Sequence, residues 1–206
     1  MVVRGDVRPE RSAPAENFYS ANEAARYTQN ARMRTIQTHL AQRALHLLGL
    51  PARGALILDL GCGTGYSGRV VEKHGHFWVG LDVSADMLEE SRQEGRPCDQ
   101  LCHDMGTGLP FRRRIFDGVI SISAVQWLCV ATKPEHNPER RLQNFFRGLK
   151  RVLVPGGRAA LQVYPEDAEQ MELIRQAALG QDFGGVFVAD FPTSENSKKF
   201  FLLLYA

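Results

Sequence analysis

Leu56-Ile57-Leu58-Asp59-Leu60-Gly61-Cys62-Gly63-Thr64-Gly65 joins an apolar run without alternation to an acidic residue, followed by three glycines at every second position. An unbroken apolar run of this length reads as a central strand of a parallel sheet, buried on both faces. The glycines make a tight turn at which a ligand can approach bare backbone, and a helix follows at once. Turns of this type often present helix N-terminal N–H groups to a phosphate. Here the Asp59 carboxylate beside the turn would repel a pyrophosphate, which favours a ligand that carries an amino group and a sulfonium.

S-adenosylmethionine is such a ligand. The stretch Gly63-Thr64-Gly65-Tyr66-Ser67-Gly68 also satisfies the G-x-G-x-x-G pattern of dinucleotide folds, so the glycines alone do not decide. The rest of the constellation does. Asp59 stands two residues before the first glycine, and a second apolar run, Phe77-Trp78-Val79-Gly80-Leu81, ends at Asp82, a carboxylate placed for ribose hydroxyls. Leu153-Val154-Pro155-Gly156-Gly157 then precedes an apolar run from Arg158 to Tyr164. In these residues the chain resembles the class I S-adenosylmethionine-dependent methyltransferases, where a leucine-x-proline-glycine-glycine turn leads into strand five. The resemblance implies an α/β, Rossmann-like fold: a seven-stranded, mostly parallel sheet with helices on both faces.

The remaining pattern fits that architecture. Strands are expected at 56–60, 77–81, near Leu101, at 116–121, 158–164, 185–190 and 199–205. Helices are expected near 66–74, 84–94, 138–151 and 166–179, the second begun by Ser84. Ser20-Ala21-Asn22-Glu23 has capping-box spacing. The helix it starts carries Met33, Ile36, Leu40, Leu47 and Leu48 on one stripe before Gly49 and Pro51 stop it, as one long helix or two. Residues 1–53 thus read as an N-terminal arm and helical cap, and 54–206 as the methyltransferase core. Ligands in such sheets bind beyond the C-terminal strand ends. There Asp59, Gly61, Cys62, Gly63 and Asp82 are expected to hold the cofactor, with Asp104 and Met105, after strand three, at the adenine. The alternatives for Asp104 and Met105 are a loop cap and a core filler; for Cys62, a small side chain that fits the turn.

A chain of 206 residues suits one domain. No apolar stretch reaches the ~18 residues of a membrane span, and the charged N-terminus lacks a signal-peptide core, so a soluble intracellular protein is expected. Cys62, Cys98, Cys102 and Cys129 show no disulfide framework. Cys98, Cys102 and His103 are metal ligands by type, but no matching second pair exists, so no metal site is expected. Net charge is +2 and unevenly spread. Residues 1–53 carry 8 Lys and Arg against 4 Asp and Glu, and residues 112–158 carry 10 against 3, while the segments between and after them are acidic. Two basic segments, with Arg112-Arg113-Arg114 the sharpest cluster, suit a polyanion laid across one face or, equally, solvated helix faces.

The acceptor is read from the end of strand four and the loop beyond it, Ser121-Ile122-Ser123-Ala124-Val125-Gln126-Trp127-Leu128. This stretch has neither the acidic or amide residue, two prolines and an aromatic that resemble amine-methylating enzymes, nor a proline-cysteine nucleophile for cytosine C5. An acceptor with a free lone pair, such as guanine N7, needs only placement and a dry site. Gln126 can then hydrogen-bond a base edge and Trp127 can stack on it, or Trp127 is core.

Arg8-Pro9-Glu10, Phe18-Tyr19, Glu23-Ala24-Ala25-Arg26-Tyr27, Asn30-Ala31-Arg32-Met33 and Ser121 through Cys129 resemble the eukaryotic 18S ribosomal RNA guanine-N7 methyltransferase family over nearly the whole chain. The resemblance implies methylation of a small-subunit rRNA guanine during ribosome assembly, in nucleus and cytoplasm. It also implies a heterodimer with a small zinc-binding activator protein, here expected along strand three, an edge strand with few charges and no internal proline. A small-molecule methyltransferase and an assembly scaffold that does not need catalysis are the alternatives.

Overall fold

The computed structural model describes residues 8–95, 99–190 and 198–206. Seven strands form one sheet: β1 (Leu56–Leu60), β2 (Phe77–Asp82), β3 (Asp99–Cys102), β4 (Phe116–Ile122), β5 (Leu153–Val163), β6 (Gly184–Asp190) and β7 (Lys199–Tyr205). Their order is β3-β2-β1-β4-β5-β7-β6; β7 alone is reversed, pairing antiparallel with both β5 and β6, and the other pairs are parallel. The order reverses between β1 and β4, which opens a crevice at their C-terminal ends.

Eight helices accompany the sheet among the described residues: α1 (Pro9–Ser12), α2 (Ala15–Phe18), α3 (Ala21–Gln29), α4 (Ala31–Leu48), α5 (Tyr66–Lys73), α6 (Ala85–Gln93), α7 (Pro138–Val152) and α8 (Ala168–Leu179). Alternation along each strand divides the core in two. Leu58, Val119, Ala159 and Leu161 face α7 and α8 on one side, where Leu142, Phe145, Phe146 and Leu149 recur at helical spacing. Ile57, Trp78, Ile120, Ala160 and Phe201 face Leu40, Ala41, Ala44 and Leu45 of α4 and Val70 and Val71 of α5 on the other. The C-terminal half of α4 therefore packs in the same core as the strands, with no gap in packing at residue 53.

Three local expectations change. The long N-terminal helix is broken at Asn30, whose side chain accepts from the Met33 N–H at 3.0 Å and starts α4. Ser20 precedes α3 but makes no capping hydrogen bond, and Glu23 pairs with Arg26 at 2.9 Å instead, so the reciprocal cap does not form. Strand five begins at Leu153 and not at 158. Its register jumps from Phe116 opposite Leu153 to Gly118 opposite Arg158, so Pro155-Gly156-Gly157 loops out as an irregularity inside the strand. By contrast, Ser84 caps α6 as read from the sequence, accepting from the Met87 N–H at 3.2 Å.

Candidate active site

The C-terminal ends of β1, β2, β3, β4 and β5 open into one cavity of about 1160 Å³, roofed by α1 to α4. After β1 the chain turns through Gly61, Gly63 and Gly65, all with positive φ. Gly61 and Cys62 donate to the Leu81 carbonyl at 2.7 and 3.1 Å, which ties the turn to the end of β2. A Cβ on Gly61 would lie 2.3 Å from the Ala124 Cβ, and one on Gly63 would lie 3.0 Å from the Met87 Cε. The turn is thus bare backbone pressed against the loop after β4. Cys62 lies in the cavity wall, but its buried side chain also belongs to the α4 and α5 core.

Asp82 stands at the tip of β2 and lines the cavity. Its Oδ2 accepts from the Gly63 N–H at 2.8 Å and its Oδ1 from the Ser84 N–H at 2.9 Å. Each oxygen keeps a further lone pair for ribose hydroxyls. Burial raises its pKa, and these backbone bonds oppose the shift.

Asp59 is placed differently from the sequence expectation. It is fully buried beneath the turn and is not part of the cavity wall. It accepts a 2.5 Å hydrogen bond from Ser67, which does line the cavity, and its other oxygen has no partner among the described residues. Burial pushes its pKa up to about 7, against the Ser67 bond and with the Asp82 charge adding. Thr64 Oγ1, in the same turn, is likewise buried without a partner among the described residues. A cationic, phosphate-free ligand fits this cradle: the bare turn admits it, and a positive charge above Asp59 relieves its desolvation. Gly61, Cys62, Gly63 and Asp82 would hold S-adenosylmethionine directly, with Asp59 acting from below through charge.

Asp104 and Met105 also line the cavity. Asp104 forms a two-pronged ion pair with Arg141, both contacts 3.0 Å, and caps the 3-10 turn Met105–Thr107 through the Gly106 N–H at 2.8 Å. Met105 is at once wall and core. The loop-cap and core-filler readings therefore describe these two residues accurately without removing them from the cavity.

At the acceptor end, β4 leads through Ser123, in the left-handed region at φ 57°, into a 3-10 turn, Val125–Cys129. Ser123 donates to Gln162 at 2.7 Å, and Gln126 donates to the Ser123 carbonyl at 2.8 Å. Gln126 is 3% exposed, and its side-chain oxygen is unpartnered among the described residues. Trp127 lines the cavity but packs against both Phe18 and Tyr19, with ring centroids at 5.8 and 5.7 Å. Its role as an open stacking face is therefore reduced, because the arm occupies part of the ring. Burial pushes the Cys129 thiol up to about 12, which disqualifies it as a nucleophile near neutral pH.

The N-terminal arm supplies wall residues that pattern reading missed. Tyr19 and Tyr27 meet edge to face at 6.2 Å, Tyr27 stacks on Tyr66 at 5.9 Å, and burial raises the pKa of both Tyr19 and Tyr27. Glu10 is buried in the same wall. Its signal was faint: a proline followed by a carboxylate in an otherwise polar arm. Of the suggested metal ligands, Cys98 lies outside the described residues, Cys102 is exposed, and the His103 Nε2 meets the Gly108 carbonyl at 3.1 Å. The Arg112-Arg113-Arg114 cluster precedes β4 and so lies at the opposite end of the strands from the cavity.

A methyltransferase-domain family model matches residues 58–161. The chain is 50% identical over 200 residues to the mouse 18S rRNA (guanine-N(7))-methyltransferase, covering 97% of this chain and 71% of the relative. It is 43% identical over 189 residues to the Saccharomyces cerevisiae 18S rRNA (guanine(1575)-N(7))-methyltransferase, covering 91% and 68%. Among solved structures, the Synechocystis magnesium protoporphyrin IX methyltransferase with bound SAM matches with TM-score 0.67 at 15% identity, covering 98% of this chain and 99% of that one. A methyltransferase in complex with the Haloferax volcanii Trm112 methyltransferase activator matches with TM-score 0.62 at 21% identity, covering 89% and 97%. At those identities the two structures establish the fold alone.

Proposed function

The chain belongs to the 18S rRNA (guanine-N(7))-methyltransferase family, and from this we infer that it methylates N7 of a guanine in small-subunit ribosomal RNA, with S-adenosylmethionine as cofactor. The observation that carries the reading is relatedness across almost the entire chain, arm and acceptor loop included, and not the glycine turn alone. Bound in the cavity, the cofactor supplies an electrophilic methyl carbon on a sulfonium. Because guanine N7 has a free lone pair and no proton to lose, the chain needs no base there, and its residues' task is orientation and exclusion of water. Gln126 keeps a second side-chain N–H beyond the one given to Ser123, and it can donate to O6 beside N7. The arm roofs the cavity and would help to exclude water from it. Mapping N7-methylguanine on ribosomal RNA with and without the protein tests the assignment. RNA binding that weakens steeply with salt separates it from a small-molecule enzyme.

The same reading includes a small zinc-binding activator that pairs with β3, and residence in nucleus and cytoplasm, where small subunits are assembled. Support for the docking site is physical. β3 is an edge strand, Leu101 on it is 38% exposed, and Phe77, on the same sheet face of β2 by alternation and register, is 68% exposed. Imaging of the tagged protein tests the location, and co-purification of the activator tests the complex.

A further inference from the structure

Four carboxylates line the cavity, from Glu10, Glu16, Asp82 and Asp104. Three are committed: Glu16 to an ion pair with Lys133, Asp82 to two backbone N–H groups, Asp104 to Arg141. Glu10 is only 8% exposed and makes no hydrogen bond or ion pair among the described residues. The fold turns it inward. Arg8 donates to the Tyr164 carbonyl at 2.9 Å and Arg11 to the Glu166 carboxylate at 2.8 Å, so both flanking arginines grip the loop after β5 and Glu10 between them faces the cavity. Glu10 shares the cavity wall with Gln126 and Trp127, and the arm that carries it packs on Trp127 through Phe18 and Tyr19, which brings it to the acceptor end.

The Glu10 oxygens are not among the fully buried unpartnered atoms, so they open onto the cavity, where a ligand that brings donors can reach them. Guanine carries two adjacent donors, N1–H and the 2-amino group, on the edge away from N7. Adenine presents an acceptor at N1 instead. We infer that Glu10 reads the Watson–Crick edge of the target guanine, accepting from N1–H and the 2-amino group while N7 points into the cofactor side of the cavity. This rests on the guanine-N7 assignment above. It requires the base to leave its stack, as enzymes acting on bases impose. Glu10 accepts hydrogen bonds and removes no proton.

The test uses the full chain in complex with its activator, as wild type and Glu10→Gln, on small-subunit rRNA carrying guanosine or inosine at the target. Inosine keeps N7, O6 and N1–H but lacks the 2-amino group. Wild type should lose roughly 10- to 100-fold in kcat/KM on inosine, the discrimination of one good edge contact. Glu10→Gln should lose a comparable factor on guanosine, show little further loss on inosine, and still yield N7-methylguanine. Its S-adenosylmethionine affinity without RNA, measured by calorimetry, should equal that of wild type. A wild type indifferent to inosine overturns the proposal even if the variant does not fold, and so does the same inosine penalty in both proteins. Weakened cofactor binding in Glu10→Gln would assign the carboxylate to the cofactor's ammonium instead. Methylation at N1 or N2 would make it a base. Failure of the guanine-N7 assignment itself appears separately, as a wild type that leaves N7 of guanosine unmethylated.

Discussion

Asp59 and Asp82 have the same side chain, yet the fold gives them different roles. Asp82 is held open at the cavity by two backbone bonds, so Asp82→Ala should weaken S-adenosylmethionine binding by about 1.5–3 kcal/mol, read by calorimetry, with the fold intact. Gly63→Arg should abolish binding, because φ is 52° there and a Cβ already meets Met87. Asp59 acts through charge. Its folded pKa of about 7 lies above the unfolded value, so the folded state holds the proton more tightly, and stability without cofactor should fall as pH rises from the unfolded pKa through about 7. A cation over the turn favours the ionised form. Cofactor affinity should therefore increase across the same window, and Asp59→Asn should flatten both profiles in thermal melts and titrations. Trp127→Ala should do more than remove a ring from the acceptor end. With Phe18 and Tyr19 left unsupported, protection of the arm against proteolysis should drop along with turnover.

Among elements, the sheet leaves two edges, β3 and β6, and the proposed heterodimer needs only one of them. β3 offers four residues and an exposed Leu101; β6 exposes Val186 at 49%, but its end is anchored by Asp190 to Arg43 of α4 at 2.9 Å. Leu101→Lys should abolish co-purification of the activator, while Val186→Lys should leave it unchanged. The reverse pattern would move the partner to β6. Most strand boundaries were legible in the sequence because apolar runs and glycine turns are local signals; the start of β5 at Leu153, ahead of the expected 158, was not. The broken N-terminal helix was only half legible: Asn30 competes for backbone donors wherever it stands, but only packing shows whether it ends a helix.

For the molecule as a whole, the basic groups that matter lie at the cavity mouth. Arg32 at the start of α4 and Lys198 and Lys199 at the start of β7 line it, although 166 positions separate Arg32 from Lys198. If they meet phosphates, Lys198→Ala with Lys199→Ala should weaken RNA binding and reduce its salt slope by about 2. The same pair of changes at Arg112 and Arg113, at the far end of the strands, should matter less in the same titration. The sequence by itself determined the strand, turn and carboxylate of the cofactor cradle, because a buried strand, a left-handed turn and a strand-tip acid are each dictated by residues close together in the chain. It determined the family for the same reason, through contiguous stretches of arm and acceptor loop. Tertiary structure alone decided that Asp59 sinks beneath the turn, that Trp127 is shared with the arm, and that Glu10 faces inward. Each depends on contacts with distant chain, as when Arg8 reaches the Tyr164 carbonyl across 156 positions, and no local pattern records which way a side chain turns when its neighbours are held from so far away.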